Sequence, residues 1–148
     1  MSETHTPTAN LLSVYAAGTA YQLTNASTLL NFGTTDPTLV ITKAGTYLLL
    51  ARVRVDYNAA TFAAVRTTTF KLRRTNNTAA DLTNSSFSAL TQIITLLTFT
   101  MGIFEFQPII YTTANVDDSI DLMGLVDTVP SAGSIDCVEA SIVAVRLQ

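Results

Sequence analysis

One histidine and one cysteine bound the chemistry open to this chain of 148 residues. His5 stands in a polar stretch at the N-terminus. A Ser-His-Asp or Cys-His relay needs an imidazole held rigidly between nucleophile and orienting acid, and a terminus holds side chains poorly. Cys137 falls on an alternating stretch with no base beside it, so it reads as a small buried hydrophobe rather than a reactive thiol. A lone cysteine closes no intrachain disulfide, and one His with one Cys is too few for a zinc site. Glu105, Asp136 and Glu139 are isolated carboxylates. General acid and base work needs two at a set separation, and their spacing proposes no pair. Asp117, Asp118 and Asp121 offer oxygens to calcium, but not at EF-hand spacing, and a solvated polar turn is the simpler reading. No glycine-rich phosphate loop is present. The expectation is a chain that is not an enzyme and carries no cofactor.

The charge balance narrows the partners. Net charge is -3, and 13% of residues are charged, against about 25% in a typical soluble domain. Nucleic-acid binding needs many phosphate-neutralising cations, and none is expected here. The one basic cluster, Lys71, Arg73 and Arg74, reads as a solvated strand end. The sequons at Asn25, Asn76 and Asn84 read as chance in a threonine-rich chain. The first residues lack the basic and apolar regions of a signal peptide. The apolar run from Ile93 to Met101 is broken by Thr95, Thr98 and Thr100 and is too short to span a bilayer. The expectation is a chain folded in a cytoplasm without membrane insertion. So little charge on so small a domain implies that part of its surface is covered by partners.

The elements that would position these residues are strands. Threonine fills 25 positions and suits pleated, half-buried surfaces. Residues 1–10 read as a tail. Strand-like runs follow at Ser13 to Asn25 (with a bulge at Gly18), Thr28 to Phe32, Leu39 to Thr42 and Thr46 to Tyr57. In the last of these, Leu49, Ala51, Val53, Val55 and Tyr57 alternate with Leu50, Arg52, Arg54 and Asp56, the period of two of a sheet with one buried face. Asn58-Ala59-Ala60 reads as a break before Phe62 to Arg74. A weaker region, Asp81 to Ser88, leads to Leu90 through Thr100. Gly102 is expected to divide this from Ile103 to Thr113, where Pro108 implies an edge or bulge. Ser119 to Val126 and Ser134 to Leu147 complete eight to ten strands, spaced as in a sandwich or barrel. No helical period with caps interrupts them.

Two short motifs give the pattern a likeness. In Leu39 to Leu49, an apolar strand runs into Ala44-Gly45 and then Thr46-Tyr47, opening a long strand. Ala114 to Leu122 forms a polar turn before a strand. Both resemble the jelly rolls of tumour necrosis factor and the complement globular head, although Asp117-Asp118 stands where that family has Gly-Asp. The resemblance implies an all-β jelly-roll sandwich of antiparallel strands packed as a homotrimer. It sets the closing strand, Ala140 to Leu147 with Val143 and Val145, near the subunit contact. Of the aromatics Tyr47, Tyr57, Phe62, Phe70, Phe99, Phe104, Phe106 and Tyr111, most are expected in the core, with Tyr47, Phe104, Phe106 and Tyr111 the candidates for the trimer contact. At least one of Arg52, Arg54 and Arg66 is expected to pair across that contact with Asp56 or Glu105.

Residues 18–148 are therefore expected to form the jelly roll, and residues 1–17 an arm, with Leu11, Leu12, Val14 and Tyr15 anchoring it to a capsid or other particle protein. The function expected is that of a virion structural protein, a capsid decoration or head-fibre-like trimer on a phage. The alternative is a receptor- or glycan-binding knob of a phage tail or of a bacterial cell or spore surface.

Overall fold

The computed structural model describes residues 11–33, 35–91 and 97–148. Its strands are β1 (Leu11–Gln22), β2 (Thr28–Leu29), β3 (Leu39–Ile41), β4 (Gly45–Thr61), β5 (Arg66–Arg74), β6 (Ala80–Asp81), β7 (Phe87–Thr91), β8 (Leu97–Glu105), β9 (Ile109–Thr113), β10 (Asp118–Val126) and β11 (Ala132–Arg146). All pairings are antiparallel, in two sheets. The first runs β1-β11-β4-β8, with β9 also on β4; the second runs β2-β10-β5-β6, with β3 also on β10 and β7 also on β5. This is the all-β sandwich of antiparallel strands that the jelly-roll resemblance implies.

The buried row of β4 is the one read from its sequence, Leu49, Val53, Val55 and Tyr57 among it. It meets Ile120, Leu122, Phe70 and Leu72 from the second sheet in one core. Phe104 bridges the layers: its ring lies 5.4 Å from Phe70 and 5.8 Å from Phe87, centroid to centroid. At about 25 cal/mol per Å² of apolar surface removed from water, this core drives the folding.

Three expectations about the elements are corrected. Leu11, Leu12, Val14 and Tyr15 do not belong to an arm. They are ladder residues of β1, paired with Val145, Ala144, Ile142 and Ser141 of β11. Leu12, Val14 and Ala16 lie on one side of β1 and pack against the core, which draws this segment into the sheet. The tail at residues 1–10, with His5, lies outside the described residues. Second, Asn58-Ala59-Ala60 does not end β4. The pairing with β8 slips between Tyr57 and Ala60, and Ala59 takes a φ of +47° there, so the strand absorbs the irregularity as a bulge and runs on to Thr61. Third, Gly102 lies within β8, and the division falls at residues 106–108. Pro108 has no N–H to continue a ladder, and the edge of β4 passes from β8 to β9 there.

The Ala44-Gly45-Thr46-Tyr47 motif has a physical basis. The Tyr47 ring is buried, and its hydroxyl donates to the Lys43 carbonyl at 2.7 Å. The Arg146 guanidinium donates to the Ala44 carbonyl at 2.9 Å. A Cβ on Gly45 would collide with the Gln148 carbonyl and lie 2.9 Å from Arg146 Nε.

Candidate functional site

The sheet registers place an apolar row across the outer face of the first sheet. Leu11 of β1 lies beside Val145 of β11, Val145 beside Leu48 of β4, and Leu48 beside Ile110 of β9. In the next row Val143 stands between Ser13 and Leu50. Leu11, Tyr15, Ile103 and Ile110 each leave more than half of their surface open. Leu29, Val40, Val65, Val116 and Val129 are exposed outside this sheet, and Tyr15 and Ile103 stand in the rows of Arg52 and Arg54. Leu11, Val145, Leu48 and Ile110, with Val143 and Leu50 beside them, form two adjoining apolar rows, an arrangement common at contact surfaces. Between the strands, Leu50, Arg52, Glu105, Phe106, Ser141 and Val143 line a depression of about 250 Å³. It opens where β4 changes neighbour from β9 to β8.

Below the apolar rows the same face turns ionic. Glu139 lies 3.5 Å from Arg52 and 3.8 Å from Arg54, and accepts the Tyr15 hydroxyl at 3.0 Å. That hydrogen bond to a carboxylate holds the Tyr15 phenol above its ordinary pKa. Arg54 Nε and Asp56 Oδ1 are 3.9 Å apart, and neither atom has a hydrogen-bond partner. Asp136 accepts from Asn58 and Ser134. Within the chain Arg54 pairs with Asp56 and with Glu139, a partner the sequence reading did not name. Arg66 lies on β5, opposite Thr91.

The residues assigned to a trimer contact divide. Val143 and Val145 sit half-buried in the outer rows. Tyr47, Phe104, Phe106 and Tyr111 are corrected: all four are buried within the single chain, which leaves little area to give a neighbour. The apolar residues that do face outward, Leu48, Leu50, Ile103 and Ile110, were missed. Their signal lay in the runs Leu48-Leu49-Leu50 and Ile109-Ile110, where adjacent residues are apolar and both faces of a strand must therefore be.

The three aspartates of the polar turn do not converge. Asp118 is fully buried on the core side of β10, where its carboxylate accepts from Tyr111, Thr113 and Asn77 at 2.5, 2.6 and 2.9 Å. Asp121 turns to the other side of β10 and accepts from Thr38 and Thr75. Asp117 is exposed at φ +64°, a left-handed position that Asp tolerates where glycine is the usual choice. Strand alternation thus separates the carboxylates, and protein donors occupy two of them; the solvated-turn reading is corrected for Asp118 and Asp121, which are buried, and holds for Asp117. Burial works against the charge of Asp118, but hydrogen bonds from Thr113, Tyr111 and Asn77 outweigh it and hold the carboxyl below its ordinary range. Cys137 is buried, and desolvation pushes its thiol far above the ordinary value.

No protein-family model and no curated protein matches the chain in sequence. Solved structures match it in shape. The globular domain of a zebrafish complement 1qA protein aligns with a TM-score of 0.54 at 10% identity, over 93% of this chain and 96% of that one. A chain of infectious bursal disease virus, Gx strain, aligns with a TM-score of 0.51 at 12% identity, over 92% of this chain. This chain spans about a third of that viral chain, which is covered over 32% of its length. The Eiger tumour necrosis factor of S. frugiperda gives 0.48 at 12% identity, over 93% of this chain and 86% of that one. The fold is the jelly roll of the complement-head and tumour-necrosis-factor class, with apolar rows across the outer face of its first sheet.

Proposed function

We propose that the chain is a structural protein of a virus particle, a capsid decoration or head-fibre-like head that works as a homotrimer without a catalytic step. The observation that carries this reading is the apolar face Leu11, Val145, Leu48, Ile110, Val143 and Leu50, which lies across four strands of one sheet. Rings of identical subunits form when such a face meets a different surface of the next copy and the rotation closes. Particle assembly in a host cytoplasm suits a chain with one buried cysteine and no disulfide to form. The occurrence of the same fold in a chain of infectious bursal disease virus supports a particle role.

The knob reading has less support. It would use the loops at Asn76-Asn77, Asn115 to Asp118 and Asp127 to Ser131, and in the first two the Asn76 and Asn77 amides are spent on the Val116 to Ser119 turn. Sedimentation of the purified chain tests the assembly. A trimer is expected, and a double change, Leu50→Glu with Ile110→Glu, is expected to release folded smaller species. A parent chain that stays monomeric at tens of micromolar would overturn the reading.

A further inference from the structure

Among the described residues, β1 is hydrogen-bonded to a neighbouring strand along one side only. Which of its backbone groups face the open side follows from the ladder behind it. The Leu147 amide donates to the Thr46 carbonyl at 2.7 Å, so Val145, Val143 and Ser141 turn their backbone groups toward β4. Ala144, Ile142 and Ala140 then turn theirs toward β1, where their register partners are Leu12, Val14 and Ala16. Leu11, Ser13 and Tyr15 are left with amide and carbonyl directed outward. Ala17 belongs to the same set, and its carbonyl accepts the Thr35 hydroxyl at 2.7 Å, which closes that end of the edge. Among the described residues, no backbone hydrogen bond reaches the open side of the stretch from Leu11 to Tyr15.

An open edge invites another strand, and proteins usually blunt one with charge, proline or a bulge. β1 has neither charge nor proline over all of Leu11–Gln22, and its irregularity lies beyond Ala17, past the open stretch. The core-facing row is also unfinished at this edge. Ala144 and Ile142 on β11 are fully buried, whereas Leu12 and Val14 beside them are only partly covered.

We propose that this edge pairs antiparallel with β1 of a second copy, about a two-fold axis at Ser13. The segment is self-complementary in that register. Leu11 of one copy lies opposite Tyr15 of the other, Ser13 opposite Ser13, and Leu12 opposite Val14. An isologous contact requires this, since one patch must serve both partners. Aromatic and aliphatic pairs fall on the outer side, and the added strand covers Leu12 and Val14 on the core side. The contact runs along the strand edge and does not rest on the trimeric reading.

The test uses Ser13. In a hydrogen-bonded antiparallel pair the facing Cα atoms stand about 5.5 Å apart, inside the range a disulfide spans. Ser13→Cys is expected to cross-link nearly completely to covalent dimers on mild oxidation, with native Cys137 too deeply buried to compete. Ala20→Cys, at an exposed position beyond the closed end of the edge, is expected to give background only. Ser13→Pro removes an amide that β11 does not use, and proline is tolerated on that side of an edge strand. Its sedimenting mass is expected to be half that of the parent, with an unchanged circular dichroism spectrum. Tyr15→Lys serves where the proline variant folds poorly. The face variant Leu50→Glu with Ile110→Glu is expected to keep the Ser13→Cys cross-link, which separates this contact from the trimer. Cross-linking of Ser13→Cys no better than of Ala20→Cys would overturn the proposal, as would parental mass in folded Ser13→Pro or Tyr15→Lys.

Discussion

Tyr111 donates its hydroxyl to Asp118 Oδ2 at 2.5 Å, inside the corner where β9 approaches the start of β10. The pair is buried on both sides. Arg74 stands off at 4.0 Å, so the carboxylate is held chiefly by neutral donors. Its negative charge is the form those donors favour, and burial raises the Tyr111 phenol above its ordinary value.

Acid is therefore expected to destabilise the fold through Asp118. Its carboxyl titrates lower in the folded chain than its ordinary value of 3.8. A group with a depressed folded pKa contributes stability that is full above the unfolded pKa and is lost as pH falls through the folded one. Urea midpoints measured from pH 6 to 2 are expected to be flat at first and to drop below about pH 4. Asp118→Asn is expected to cost about 1.5–3 kcal/mol at pH 7 and to flatten that drop. An equally steep acid limb in the variant would assign it to other carboxylates.

Gly124 sits in a tight place on the inner side of β10. A Cβ there would lie 2.9 Å from Leu23 Cδ2 and from Phe70 Cε1, and 3.0 Å from Leu30 Cδ2. The Leu termini can turn aside, but the Phe70 ring is fully buried and confined. Gly124→Ala is expected to destabilise by about 1–3 kcal/mol through overpacking, read as a lower urea midpoint at constant slope. A midpoint equal to the parent's would mean that the sheets separate locally at little cost.

Much of this fold was legible in the residues, because alternation is a local signal that solvent enforces. The β4 row Leu49, Val53, Val55 and Tyr57 is buried as its period of two implies. Pro108 marks the change of edge because it lacks an amide. What was not legible depended on neighbours distant in sequence. Nothing local distinguishes Leu48 or Ile110, which face outward, from Leu49 or Ile109, which face the core. Tyr111 reads as an apolar contact residue until its hydroxyl is seen to need Asp118. The strand status of Leu11 to Tyr15 depends on β11, more than a hundred residues away.

Cys137 is expected to report global unfolding. It has no exposed surface and its thiol is held neutral by burial, with Asp136 adding to the effect. The thiolate is the reactive form, so labelling must wait for an opening that exposes the inner side of β11. Its labelling rate with a thiol reagent at pH 8 is expected to rise with urea along the global unfolding free energy. A fast rate that ignores urea would reveal a local opening of the strand.

Glu139 allows the contact face to be tested without adding a charge. Two arginines and the Tyr15 hydroxyl converge on it, yet the arginines remain partly open to solvent in the single chain. Such pairs contribute only about 0–1 kcal/mol while hydrated, so Glu139→Gln is expected to change the stability of dilute, dissociated protein very little. In the assembly, the neighbouring copy would cover the face and remove that water. Arg52 would then be buried beside a neutral amide, with Arg54 keeping Asp56 alone, and stranding a buried charge costs about 3–5 kcal/mol. The variant is therefore expected to dissociate at tenfold or more the concentration at which the parent does, read by sedimentation equilibrium across a dilution series. If Glu139→Gln dissociates with the parent, the ionic half of the face stays in water in the assembled state. The subunit contact is then confined to the apolar rows from Leu11 to Ile110.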